Sequence, residues 1–143
     1  MQEAVDLMKT IIKSKSDIKK RKLRKGKSQH YYFQFRNKSF YYFLTHILEI
    51  PNGNKCSSVS VPRPILSSKQ LQWSFLAGLF DTDGGIRGNT IGYTSASRNL
   101  IEETSQILNN LKIAHNVESW INKKYSKRYY GIRIKRKSSQ RHK

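Results

Sequence analysis

The stretch LQWSFLAGLFDTDGGIRG, residues 71–88, restricts the fold more than any other part of the chain: an apolar helical run stops at two aspartates and two glycines. Leu71, Phe75, Gly78 and Leu79 recur at helical spacing, and Ser67 followed by Gln70 fits a capping box at its start. A helix of this kind must bury an apolar stripe against a sheet or another helix. Its end needs a separate explanation. A helix C-terminus carries partial negative charge, so an anion in the last turn costs about 0.3–1 kcal/mol, yet Asp81 and Asp83 both sit there. Gly84 and Gly85 are expected to leave the helix in the left-handed conformation and to let backbones approach closely. Something cationic must offset the acids, either a neighbouring Lys or Arg or a divalent metal, which suits a carboxylate beside free helix-terminal carbonyls.

Earlier in the same helix Ser74, Ala77 and Gly78 are small residues among Trp73, Phe75, Leu76 and Leu79. Small residues let a second helix pack at close range, which would bring two acidic ends together. Carboxylates that close repel unless metal bridges them, and the arrangement then resembles a metal-assisted phosphodiester site. The alternative is that Asp81 and Asp83 are turn residues, because Asp-Gly is a common hairpin signal. A calcium loop beginning at Asp81 is excluded, since Ile86 stands where glycine is required and Gly92 where the bidentate glutamate belongs. His30, His46, His115 and His142 lack the spacing of a ligand set or a catalytic base, and are read as packing or surface residues.

Charge narrows the partner. The chain has 28 Lys and Arg against 9 Asp and Glu, a formal net charge of +19, and so expects a polyanion. Residues 13–27 hold nine of the cations and residues 127–143 hold eight. Both segments contain or adjoin alternating aromatics, QHYYFQFRNK and RYYGIRIKRK, the pattern of basic strands. Superposing HYYFQFRNKSF (30–40) on YYGIRIKRKSS (129–139) aligns Phe33 with Ile132, Phe35 with Ile134, Arg36 with Lys135 and Lys38 with Lys137, an internal repeat of helix, basic strand, basic strand. The expected elements are a helix at 2–14, basic strands at 17–24 and 29–36, and a helix from Phe40 that ends before Pro51. The motif helix, a short hairpin in IRGNTIGYTSAS, a helix capped by Ser97 or Asn99, and a hairpin of NVESWINKK with RYYGIRIK complete the order. The chain divides into a partial first repeat (1–50), a connector (51–66), a complete repeat (67–137) and a basic tail (138–143). Its length suits one folding unit. One cysteine, Cys56, and no apolar run of membrane length lead us to expect an intracellular protein that is not secreted.

The segment LAGLFDTDGG, residues 76–85, resembles the signature of the LAGLIDADG homing endonucleases, matching seven of nine positions and departing at Phe80 and Thr82. With PRPIL upstream and YTSASRNLIEETSQILNNLKI downstream, the resemblance covers roughly residues 28–136. It implies an α+β fold of helix-strand-strand-helix-strand-strand units whose antiparallel sheets form a basic saddle on duplex DNA, with Mg²⁺ or another divalent cation as cofactor and site-specific double-strand cleavage as activity. On that basis Asp83, the second acid of the motif, is the catalytic metal ligand near the scissile phosphate, and Lys135 the assisting basic residue. Ser74, Ala77, Gly78 and Asp81 lie at the helix interface. Arg36, Lys38, Lys123, Lys124, Arg128 and Arg133 are the expected DNA contacts. The hairpin after the motif is short and the first unit lacks a signature helix. The expectation is therefore a homodimer, or a complementing subunit, formed through the 68–83 helix and supplying a second Asp83. The alternatives for this chain are a non-catalytic DNA-binding remnant or regulator of the same fold, or an RNA-binding intron maturase. No splicing blocks are found, so an intein is not expected.

Overall fold

A computed structural model describes residues 2–12, 17–21, 26, 29–54 and 56–135. They fall into two compact units, Met1–Leu44 and Thr45–Lys143, where the length alone suggested one.

The first unit begins with helix α1, Gln2–Ile12, which carries Glu3 in its first turn and Lys9 in its last, each sign matched to the helix dipole. Lys9 reaches Asp17 at 2.8 Å, and this hydrogen bond and charge hold the Asp17 carboxyl below its ordinary value. Strands β1, Lys19–Lys20, and β2, Tyr31–Tyr32, pair antiparallel. Of the expected strands at 17–24 and 29–36, the described residues form a ribbon of two paired residues on each side; residues 13–16, 22–25 and 27–28 lie outside the described residues. Residues 33–37 are not strand, because their aromatics are used differently. Phe33 stacks on Phe35 at 5.5 Å, Phe35 meets Phe40 at 5.5 Å and Phe40 meets Phe43 at 6.3 Å. A ribbon this short contributes little by itself, and ring packing supplies burial in its place. Asn37 accepts the Phe40 N–H and caps helix α2, Lys38–Tyr42, which runs on as a π-helical turn, Phe43–Ile47. Lys38 therefore starts a helix. The repeat aligned it with Lys137 of a basic strand, a residue that lies outside the described ones.

The second unit contains α3 (Arg63–Leu66), α4 (Lys69–Asp83), β3 (Gly85–Arg87), β4 (Thr90–Ser95), α5 (Arg98–Asn110), β5 (Asn116–Asn122) and β6 (Lys127–Lys135). The four strands form one antiparallel sheet in the order β3-β4-β6-β5. Both expected hairpins are present. The first turns on Gly88 and Asn89, with Gly88 at φ +59 in the first turn position, where a tight two-residue loop favours glycine.

Cap assignments differ by one residue from the sequence pattern at α4. Ser68 is the N-cap, accepting the Leu71 N–H, while Ser67 closes α3 and donates its hydroxyl to the Pro64 carbonyl. The chain enters α4 from a short helix, so Ser67 is still in the helical region and Ser68 is the first extended residue. Of the two candidates for α5, Ser97 is the cap.

The core lies between one face of the sheet and helices α4 and α5. Alternation along the strands turns Tyr93 and Ile132 inward, and helical spacing brings Ile101, Ile107 and Leu108 of α5 and Leu76 of α4 onto them. Val61 joins this cluster from the connector. Its N–H donates to Glu103 Oε2 at 2.6 Å, and the Ser97 hydroxyl donates to the Val59 carbonyl. The stretch read as a connector is thus fastened to α5 at two points. His115 bridges the Ser105 hydroxyl and the Ile113 carbonyl, a packing role. No described helix is long and apolar enough to cross a membrane.

Candidate functional site

Helix α4 presents two different faces. Gln72, Phe75, Leu76, Leu79 and Phe80 turn toward the core, whereas Leu71 and Gly78, expected on the same face as Phe75, stay outside. The outer stripe is Trp73, Ser74, Ala77, Gly78 and Asp81, all exposed, and a Cβ built at Gly78 would meet nothing within 4 Å. Thr82, where the chain departs from the motif, folds its hydroxyl back onto the Gly78 carbonyl at 2.8 Å. A polar group is thereby kept against the helix backbone.

Gly84 follows the helix at φ −75 and ψ 162, so it is extended where a left-handed exit was expected, and Gly85 is not left-handed either. The need for glycine at 84 is steric. Its N–H donates to the Phe80 carbonyl at 3.0 Å, and an added Cβ would stand 2.2 Å from that oxygen. Gly84→Ala should therefore force the end of α4 apart and lower stability by about 1–3 kcal/mol, measured as a shift in urea midpoint at unchanged m-value. Because Asp83 is the neighbouring residue, any metal-dependent activity should fall further than the stability loss accounts for.

The other half of the site is the uncovered face of the sheet. Register places Gly85, Gly92, Arg133 and Asn116 in one row and Arg87, Thr90 and Lys135 in another. Side chains alternate, so these rows share a face with Thr94, Glu118, Trp120 and Tyr129. Asp83 opens onto that face. It lines a depression of about 260 Å³ together with Arg87, Glu118, Trp120, Arg133 and the bare backbones of Gly84, Gly85 and Gly92. Directly behind, Tyr93 packs edge-on against Phe80 at 6.1 Å. Burial, and then the charge of Asp83, push the Tyr93 hydroxyl above its ordinary pKa. Arg133 Nε donates to Glu118 Oε1 at 2.6 Å. The Trp120 indole stacks on Tyr129 at 6.4 Å and lies across Gly131, where a Cβ would come within 3.0 Å of the ring.

Of the basic residues singled out by sequence, Arg133 lines the depression with Asp83, and Lys135 stands on the same face at the end of β6. Lys123 and Lys124 occupy the exposed β5–β6 turn. Arg128 is different: alternation puts it on the helix-covered side, where Nη1 reaches Ser119 Oγ at 3.3 Å. Arg36 and Lys38 belong to the first unit, where they border an apolar hollow with Phe35 and Phe40. Sequence reasoning did not single out Arg87, Glu118, Trp120 or Tyr129. Period-two alternation along β6 from Arg133 reaches Tyr129, whereas Glu118 and Trp120 join that face only through the β5–β6 register.

Comparison with known proteins places these features. A family profile described as a LAGLIDADG-like domain matches residues 70–142. The replication factor C small subunit of Methanocaldococcus jannaschii is 34% identical over 89 residues, 62% of this chain and 5% of that protein. The crystal structure of I-DmoI in complex with DNA and Mn superposes with a TM-score of 0.63 at 20% identity, over 92% of this chain and 63% of that one. Mesophilic variants of the homing endonuclease I-DmoI superpose with a TM-score of 0.63 at 21% identity, over 92% and 63%. The mixed helix and antiparallel-sheet fold is thus the I-DmoI fold, and the chain spans somewhat under two thirds of those structures.

Proposed function

Because the chain belongs to the family of LAGLIDADG-like domains, we propose that it is a site-specific double-strand DNA endonuclease of the homing type. The observation that carries this reading is Asp83 at the end of the motif helix, on the rim of an open sheet face that also presents Arg87, Arg133 and Lys135. The I-DmoI structures, which hold DNA with Mn or target DNA in the presence of Mg, support it.

Asp83 is the residue proposed to hold a divalent cation. Mg²⁺ keeps most of its water and commonly takes only one or two protein carboxylates besides phosphate oxygens, so one exposed aspartate facing a depression fits it. On this reading phosphate oxygens of the DNA and water would complete the ion's shell. When bound, the ion supplies an activated water and neutralises the leaving oxygen. Lys135 is proposed to assist from the end of β6, Asp81 to position the helix ends, and Lys123 and Lys124 to meet phosphates from the turn. The open stripe of α4 is proposed to receive the same stripe of a second copy, bringing a second Asp83 beside the first. Residues 1–50 are read as a partial first repeat and 67–137 as the complete one.

Cleavage of a randomised duplex library with Mg²⁺, followed by sequencing of the ends, tests the reading. Ends sharing one motif are expected. Tight duplex binding without specific ends would leave a DNA-binding protein that does not cut, and a preference for structured RNA would remove the DNA reading altogether.

A further inference from the structure

We propose that Arg133 reads a guanine in the major groove, with Glu118 as the positioning residue that aims it; the inference rests on the duplex-DNA reading above. Three observations carry it. The Arg133–Glu118 pair stands on the uncovered sheet face at 2.6 Å, with side chains 46% and 40% exposed, so it adds little to stability and is held where a partner can reach it. Beside Arg133 in the same row are Gly92 and Gly85. No atom lies within 4 Å of a Cβ built at Gly85, and only backbone oxygens, at 3.6 and 4.0 Å, face one at Gly92. The guanidinium therefore borders a shelf with no side chains on it, and a base edge can approach along that shelf.

The third observation is the sign of the pair. Glu118 cancels the charge of Arg133 and places a carboxylate on the side that meets DNA, where it repels phosphate. A carboxylate beside the guanidinium offsets its charge, so this arginine gains less from phosphate than an unpaired one does. What remains is the fork: with Nε occupied by Glu118, both terminal nitrogens are left to donate, and their spacing matches O6 and N7 of guanine. Arg87 and Lys135 on the same face make no ion pair among the described residues, and they carry the phosphate contacts. Division of labour follows, with paired charge for specificity and unpaired charge for affinity.

The test is selection of bound duplexes from a randomised library by the full chain in EDTA, with binding constants then measured against salt. Wild type should enrich a motif containing a guanine. Arg133→Lys keeps the charge and loses the fork, so it should lose that preference, roughly 5- to 150-fold in relative binding, with the rest of the motif and the salt slope unchanged. The double variant Glu118→Gln, Arg133→Gln should also lose the guanine at constant slope. Glu118→Gln alone frees a cation and should steepen the slope by about 0.9 while weakening the guanine preference. Guanine preference surviving in Arg133→Lys, or a slope about 0.9 shallower in the double variant, would overturn the assignment and leave the DNA reading standing. A wild type that enriches no duplex sinks both. Cooperative urea unfolding of each variant confirms that folded protein was compared.

Discussion

Replacing Asp83 by asparagine should abolish Mg²⁺-dependent cleavage, by about a thousandfold or more, and leave duplex binding nearly unchanged. Asparagine keeps the shape of the side chain and removes its charge, and a neutral amide is a poor ligand for a hard cation. Losing a metal's stabilisation of transition-state charge is worth several kcal/mol, and each 1.36 kcal/mol is tenfold in rate. On the proposed reading binding rests on other groups, because the sheet face keeps Arg87 and Lys135. Stability should move in the opposite direction to activity. Asp83 is an anion at the negative end of α4, is exposed, and forms no ion pair among the described residues. Neutralising it should therefore leave the protein as stable as before, or more so by up to about 1 kcal/mol. A second readout is independent of cleavage. The charge of Asp83 helps to hold the Tyr93 hydroxyl up, after burial, so in the asparagine variant the Tyr93 titration should move toward lower pH in a tyrosinate difference spectrum. An asparagine variant that still cuts would remove Asp83 from the metal site.

Ile132→Ala should cost about 2–5 kcal/mol, a large part of the 5–15 kcal/mol by which domains are ordinarily stable. Ile132 is fully buried in the central strand β6, where its backbone pairs with Tyr93 of β4 on one side and Val117 of β5 on the other. Its side chain belongs to the cluster formed with Ile101, Ile107 and Leu108 of α5. Truncation removes transfer free energy and leaves a cavity that a sheet paired on both sides cannot collapse into. The loss should appear in the urea midpoint, and much of the refolded variant should fail to bind duplex DNA at 37 °C. The neighbouring Arg133→Lys, on the exposed side of the same strand, should stay near wild type in stability. A loss below 1 kcal/mol for Ile132→Ala would mean that the core is not centred where the strand register places it.

Much of the second unit was legible from local chemistry. Leu100, Thr104, Ile107, Leu108 and Leu111 mark α5 because burying one face at 3.6 residues per turn leaves few other patterns, and alternation in RYYGIRIK marks β6 for the corresponding reason. Ser97 capped as its side chain requires. The first unit was less legible. Its aromatic run fits both periods: Phe40 and Phe43 lie in the helix expected of them, whereas Phe33 and Phe35, expected in a strand, stack on each other and against Phe40.

In the site, the sequence by itself determined that two acids end a helix, that small residues line one side of that helix, and that the chain is strongly cationic; residue type, spacing and charge are local or additive properties. The need for glycine at residue 84 is local, since the clash that excludes a Cβ is with the carbonyl of Phe80 four residues earlier in the same helix, whereas tertiary structure alone decided that residue 131 lies under the Trp120 ring. It also decided that Arg128 faces the helices while Arg133 faces out, and that Arg133 meets a glutamate fifteen residues earlier in the chain. Those outcomes depend on strand register, and register is set by which face of the whole sheet is buried.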